Sequence, residues 1–223
     1  MTAGSIRNLS MGAGAALLLT FLFIQQRPVD SRQHGRFTHD LQTMKQLDAE
    51  VNRDLLNSRF ELLSSYDPFV QKLDEMKAVE ADLQVIPSFV RGNKRKQIEL
   101  LLIRESELLA EKVLLVETFK SENAILKNSL RYFPTLIAEA GRTAATRNPK
   151  LQDHLTNLLR DILLYDLTPH SNLAGQVNGE ITALSGDADG DRTLHEVLDS
   201  ATAHAATITR VKPQVEAVTE ELN

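Results

Sequence analysis

The stretch that decides the fold is NKRKQIELLLIRESELLAEKVLLVETFKSENAILKNSLRYFPTLIAEA, residues 93–140. It holds no Gly, and Pro134 is its only Pro. A breaker-free run of this length is a long-helix signal. The apolar spacing agrees. Ile98, Leu102, Glu105, Leu109, Lys112, Val116, Phe119, Asn123, Leu126, Leu130, Phe133 and Ile137 follow alternating steps of four and three, and nine of these 12 are apolar. A seam of 3.5-residue period faces another helix and implies a supercoil. Gly141 then reads as a C-cap.

Upstream, residues 37–86 also lack Gly, and Pro68 is the only Pro. Steps of three and four from Leu41 pass through Asp48, Val51, Leu55, Ser58, Leu62, Ser65, Phe69, Lys72 and Met76 to Ile86, with ten of 14 positions apolar. The register runs through Pro68, which predicts one helix kinked there. The competing reading makes Asp67 an N-cap and Pro68 the first residue of a new helix. Between the two stretches lie Pro87, Ser88, Gly92 and Asn93. Two helices of similar length joined by a short loop predict an antiparallel hairpin.

Downstream the chain is more broken. Asn148-Pro149 reads as an N-cap with Pro at the first helical position, followed by a face of Leu151, Leu155, Leu158, Leu159 and Ile162. Thr168 to Asn172 is a break, Leu173–Leu184 a short helix, and residues 185–191 a loop. Leu194, Leu198, Ala201, Ala205, Ile208, Val211, Val215 and Val218 stripe a last helix with Pro213 inside. That stripe stops in mid-pattern at Asn223, as if the chain continued. The fold class expected is all-α: an elongated antiparallel bundle on two long helices, with the later helices completing a four-helix cross-section.

Composition supports helices. Of 223 residues 35 are Leu, against ten Gly and seven Pro, and a quarter are charged. The net charge of −5 argues against nucleic acid as a partner. Without Cys there is no disulfide, thiolate metal site or cysteine nucleophile. Phosphate loops and catalytic signatures are missing, so no enzyme activity, cofactor or metal is expected. Asp187-Ala188-Asp189-Gly190-Asp191 lacks the Gly and Glu of a calcium loop and reads as an acidic turn. The six His show no ligand spacing and read as surface residues.

Residues 11–24, MGAGAALLLTFLFI, carry no charge, and the run reaches back to Leu9. A span needs roughly 17–20 apolar residues. No small-residue cleavage site follows, so residues 1–26 read as a retained membrane anchor and 27–223 as the helical domain. Arg7 precedes the run, whereas Arg27, Arg32 and Arg36 follow it, and that count slightly opposes an exported C-terminal part.

The polar seam residues need partners. A hairpin tip near residues 90 and 91 places side by side residues whose numbers sum to about 181. Arg59 then meets Glu122, Ser58 meets Asn123, Lys112 lies near Asp67 and Glu105 near Lys72. Such pairs can simply fix register. They can also line a ligand pocket. A concave polar pocket favours sensing, and a solid apolar seam favours a docking arm for a partner protein. Arg59, Tyr66, Asp67, Lys120, Asn123 and Asn128 form the candidate cluster for ligand contact or coupling. Arg59 suits a carboxylate or similar anion.

Two segments carry a resemblance. Residues 54–68, DLLNSRFELLSSYDP, resemble the "L-x-x-R…LL…YDP" segment of DAHL domains, the double all-helical ligand-binding sensor modules. Residues 116–134, VETFKSENAILKNSLRYFP, resemble the family's "E-x-FKSxNAxLxNSLxYFP" segment. Beyond about residue 141 the likeness is one of helical pattern. The resemblance implies a sensor region of a bacterial membrane signalling protein, mainly a histidine kinase. Its kinase part would lie beyond residue 223. It implies an extracytoplasmic position for residues 27–223 at the inner membrane, with the anchor at residues 9–24. It also implies a homodimeric receptor and signalling by helix displacement. The partner would be a small ligand or a periplasmic binding protein.

Overall fold

The computed structural model describes residues 30–60, 62–63, 65–144, 149–169, 171–186 and 192–222. The anchor expected over residues 1–26 lies outside them, as do the acidic turn at 187–191 and the Asn148 cap. No helix among the described residues is long and apolar enough to cross a membrane.

The described residues are helical, with no strand among them. The helices are α1 Ser31–Arg59, α2 Asp67–Leu83, α3 Gly92–Ala144, α4 Pro149–Leu167, α5 Ser171–Gly186 and α6 Arg192–Glu221. They form two compact units. The first takes residues up to Ala49 with Lys72–Glu107, and the second takes Glu50–Gln71 with Leu108–Asn223. Helices α1, α2 and α3 each supply residues to both.

The single helix expected over 37–86 is two helices, α1 and α2, and this corrects the two-helix hairpin. Helix α1 starts earlier than Phe37 because Asp30 caps it: its Oδ1 accepts the amides of Arg32 at 2.9 Å and Gln33 at 3.2 Å. At the other end the Leu62 amide donates to the Asn57 carbonyl at 2.8 Å, a closing bond across the helix end. Pro68 has no N–H and could not continue α1 without orphaning the Ser64 carbonyl. In the first turn of α2 that missing donor costs nothing, and the Val70 amide bonds the Tyr66 carbonyl at 3.2 Å. The seam count crossed this break because its weakest members lie in it. Leu62, counted as a core position, is 72% exposed.

In the first unit α1 and α2 run antiparallel. Gln33 Oε1 accepts the Ser88 amide at 2.9 Å, and His34 packs edge-on to Phe89. Met44, Leu47, Leu73, Met76, Leu83, Ile86 and Leu102 form the core here. Gly92, at φ 58°, makes the left-handed step into α3.

In the second unit the end of α1 runs parallel to α3, with Asn52 beside Lys112 at 2.5 Å. The start of α2 runs antiparallel to α3, with Phe69 against Phe119. The chain therefore reverses between α1 and α2. Helix α3, 53 residues and roughly 80 Å long, continues through Pro134 and past the expected C-cap. Gly141 stays within the helix, where α4 comes close to it: a Cβ there would meet Gln152 Oε1 at 3.2 Å. Helices α4 and α5 form a hairpin, with His154 Nδ1 2.7 Å from Glu180 Oε2. The stripe of α6 is buried as expected from Leu194 to Val215, with Thr219 in place of Val218.

Candidate functional site

Helix α6 carries Pro213, which has no N–H for the Thr209 carbonyl. Tyr165, at the end of α4, supplies the missing donor: its hydroxyl bonds that carbonyl at 3.2 Å. One turn on, Lys212 donates to both the backbone carbonyl and Oδ1 of Asp166 at 2.6 Å. The Asp166 carbonyl is one of the last of α4, where the helix leaves carbonyls without donors. These bonds fix α6 against the end of α4.

Beside them lies a cleft of about 320 Å³, lined by Arg59 and Phe60 at the end of α1, Asn123 to Leu130 on α3, Asp166 and Leu167 on α4, and Lys212 to Glu216 on α6. Arg59 Nη2 lies 2.8 Å from Glu216 Oε1, with the side chains 23% and 22% exposed. This corrects the pairing with Glu122. Glu122 Oε2 and Ser58 Oγ are buried with no hydrogen-bond partner.

Asn123 is 1% exposed, and its amide donates to the Tyr66 hydroxyl at 3.2 Å. Tyr66 packs on Phe69 and Phe119 with ring centroids 5.6 and 6.4 Å away. Burial raises the Tyr66 pKa, against the opposing pull of the Asn123 bond and the Lys120 charge. Burial, then the Glu216 charge, raises that of Tyr165.

Of the six candidate residues, Arg59 and Asn123 line the cleft, and Tyr66 is bonded to Asn123. Lys120 pairs with Glu117 at 2.8 Å and reaches the group only through its charge. Asp67 accepts a bond from Ser65 at 3.2 Å in the first turn of α2. Asn128 lines an adjoining, more open cleft of about 600 Å³ with Leu63, Arg131 and Leu163; Lys127, Leu130 and Asp166 border both. Sequence reasoning missed Lys127, Asp166, Lys212 and Glu216. Lys127 stood inside the quoted motif segment, one residue before Asn128. The others lie in segments without any motif.

The histidines are not all surface residues. His204 Nδ1 lies 3.2 Å from Ser129 Oγ, and its ring stacks on Tyr132. Among the described residues no three His or acidic side chains gather around one point.

Two expected register pairs are replaced. Lys112 bonds Asn52 rather than Asp67. Glu105 faces Glu80 rather than Lys72, and its Oε2 is buried without a partner. Burial first, then the Glu80 charge, raises the Glu105 pKa. The protonated form is therefore favoured by folding. That stability is full below the ordinary carboxylate range and is lost as pH rises through the raised value. Glu105→Gln, which mimics the protonated form, is expected to raise the thermal midpoint at neutral pH. The gain should vanish below about pH 4, as read by circular dichroism melts at both pH values.

A sequence model of the DAHL domain matches residues 29–223, which include every residue that the structure describes. The class of protein that this match defines is a sensor module of signalling proteins. The chain belongs to the DAHL domain family. No curated protein and no solved structure matches it.

Proposed function

We propose that this chain is the ligand-sensing region of a membrane-anchored bacterial signalling protein. Residues 9–24 anchor it, residues 27–223 lie on the periplasmic side of the inner membrane, and the output is a histidine kinase. It senses without catalysis of its own. A small ligand, or a periplasmic binding protein carrying one, shifts helices in a homodimeric receptor.

The observation that carries this reading is the polar-lined cleft in the second unit. Four helices contribute to it, and it is bordered by ion pairs rather than closed by an apolar seam. A ligand entering there touches side chains of α1, α3, α4 and α6 at once. It can therefore favour one arrangement of those helices over another. One observation favours a second reading, a docking arm. Leu100, Leu101 and Ile103 on α3 are all more than half exposed, as an unpartnered apolar face would be.

A thermal-shift screen of the full chain, reconstituted in lipid discs, against a broad set of small metabolites tests the two. The expected result is a compound that raises the midpoint and loses its effect in Phe60→Glu or Leu167→Glu. Both sites are cleft-lining and exposed, at 63% and 77%, so the variants should fold. Leu101→Glu should leave the effect unchanged. Binding that Leu101→Glu abolishes, or no binding by any compound, would refute the sensing cleft.

A further inference from the structure

We propose that the joined clefts of the second unit take a small organic monocarboxylate, held by Lys127 and Arg131 at its head and by exposed apolar side chains along its body. The inference rests on the sensing reading and names the chemical class of ligand.

The charge arrangement carries it. The described residues lining the two clefts include four cations, Arg59, Lys127, Arg131 and Lys212, and two carboxylates, Asp166 and Glu216. Both carboxylates are already taken: Glu216 holds Arg59 at 2.8 Å and Asp166 holds Lys212 at 2.6 Å. Arg59, the anion-binding residue expected from sequence, is thus engaged. The two cations left over stand four residues apart on α3, a spacing that puts them on one face of the helix. Among the described residues neither has an acidic partner. The Lys127 ammonium lies 5.9 Å above the Tyr66 ring, a contact that orients the charge without neutralising it. A guanidinium fork beside a single ammonium matches the two oxygens of one carboxylate. Asn128, on the same rim, adds an amide donor.

The apolar part follows from what surrounds this pair. Phe60 is 63% exposed and Leu167 77%, with Leu163 also open, and all three line one cleft or the other. Their burial by a ligand body supplies the non-directional part of the affinity. A bare anion would leave these side chains wet, and a neutral apolar molecule would leave both cations unmatched.

The test is titration calorimetry of the full chain in lipid discs with four probes: phenylacetate, its neutral amide phenylacetamide, acetate and phenyl phosphate. Phenylacetate is expected to bind, with the amide and acetate at least about tenfold weaker, because each lacks one half of the match. Phenyl phosphate is expected to bind more weakly than phenylacetate. Lys127→Gln and Arg131→Gln should each weaken phenylacetate about tenfold, and Lys150→Gln, on exposed α4 surface, should not. Arg131 is exposed, so its variant should fold and carries the test even if Lys127→Gln misfolds. Equal binding of acid and amide, tighter binding of the phosphate, or unchanged binding in Arg131→Gln would each overturn the carboxylate site. If phenylacetate fails while a compound from the metabolite screen still needs Phe60 and Leu167, the sensing reading stands and the ligand class is wrong. If neither binds, both fall.

Discussion

Phe119→Ala is expected to lower the stability of the second unit by about 3–5 kcal/mol, the usual cost of truncating a buried phenylalanine. Phe119 has no exposure at all and packs edge-on to both Tyr66 and Phe69, with centroids 6.4 Å away in each case. Removing the ring leaves a cavity bordered by Tyr66 and Phe69. Rigid aromatic neighbours collapse poorly into such a space, which puts the cost toward the upper end. Urea denaturation followed by circular dichroism measures it. A loss below about 1 kcal/mol would show that the Tyr66–Phe69–Phe119 cluster does not hold the start of α2 on α3.

Lys212→Met should cost about 2–3 kcal/mol, a charged hydrogen bond lost together with the desolvation penalty of what it leaves behind. The ammonium serves two acceptors of one residue, the Asp166 carboxylate and the Asp166 carbonyl, at 2.6 Å each. Its side chain is only 12% exposed, so water cannot readily take its place. Methionine keeps the bulk of the stem and removes the charge, which separates electrostatics from packing. Asp166→Asn, which keeps an acceptor for the same ammonium, should cost less than Lys212→Met. Equal losses in both variants would mean that the carbonyl bond contributes nothing.

Much of the fold was legible from spacing. The seam of α3 and the stripe of α6 are buried nearly position for position, because long runs with a constant period leave little freedom. The break between α1 and α2 was not legible as a reversal. Ser58, Leu62 and Ser65 kept the count going across it, although two of the three are polar. The alternative, Pro68 in the first turn of a new helix, was the one realised. The hairpin arithmetic then placed Arg59 and Asn123 at one height for the wrong reason. Residues summing to 181 and residues offset by about 63 coincide near 59 and 122, and nowhere else along α3. Lys112 meets Asn52 on the parallel end of α1, whereas Glu105 differs because α2, though antiparallel to α3, meets it in pairs such as Phe69 with Phe119 and Glu80 with Glu105, whose numbers sum to 188 and 185 rather than 181. The partner of Arg59 lies 157 residues away on α6. No local pattern assigns such a pair, since Glu216 differs from any other helical Glu only in where α6 is packed. Gly141 was misread because two uses of glycine look alike in sequence, a left-handed cap and room for a neighbouring side chain.

The three tyrosines, Tyr66, Tyr132 and Tyr165, all belong to the second unit, and the chain has no Trp. Ultraviolet emission of this protein is therefore tyrosine emission, and it comes from one unit alone. Tyr66 and Tyr165 sit at the cleft through Asn123 and Glu216, and Tyr132 stacks on His204. Filling the cleft or melting its walls should change the fluorescence, while events confined to the first unit leave it unchanged. Comparing that signal with far-ultraviolet ellipticity, to which every helix contributes, reads out whether the two units unfold together, with no label attached.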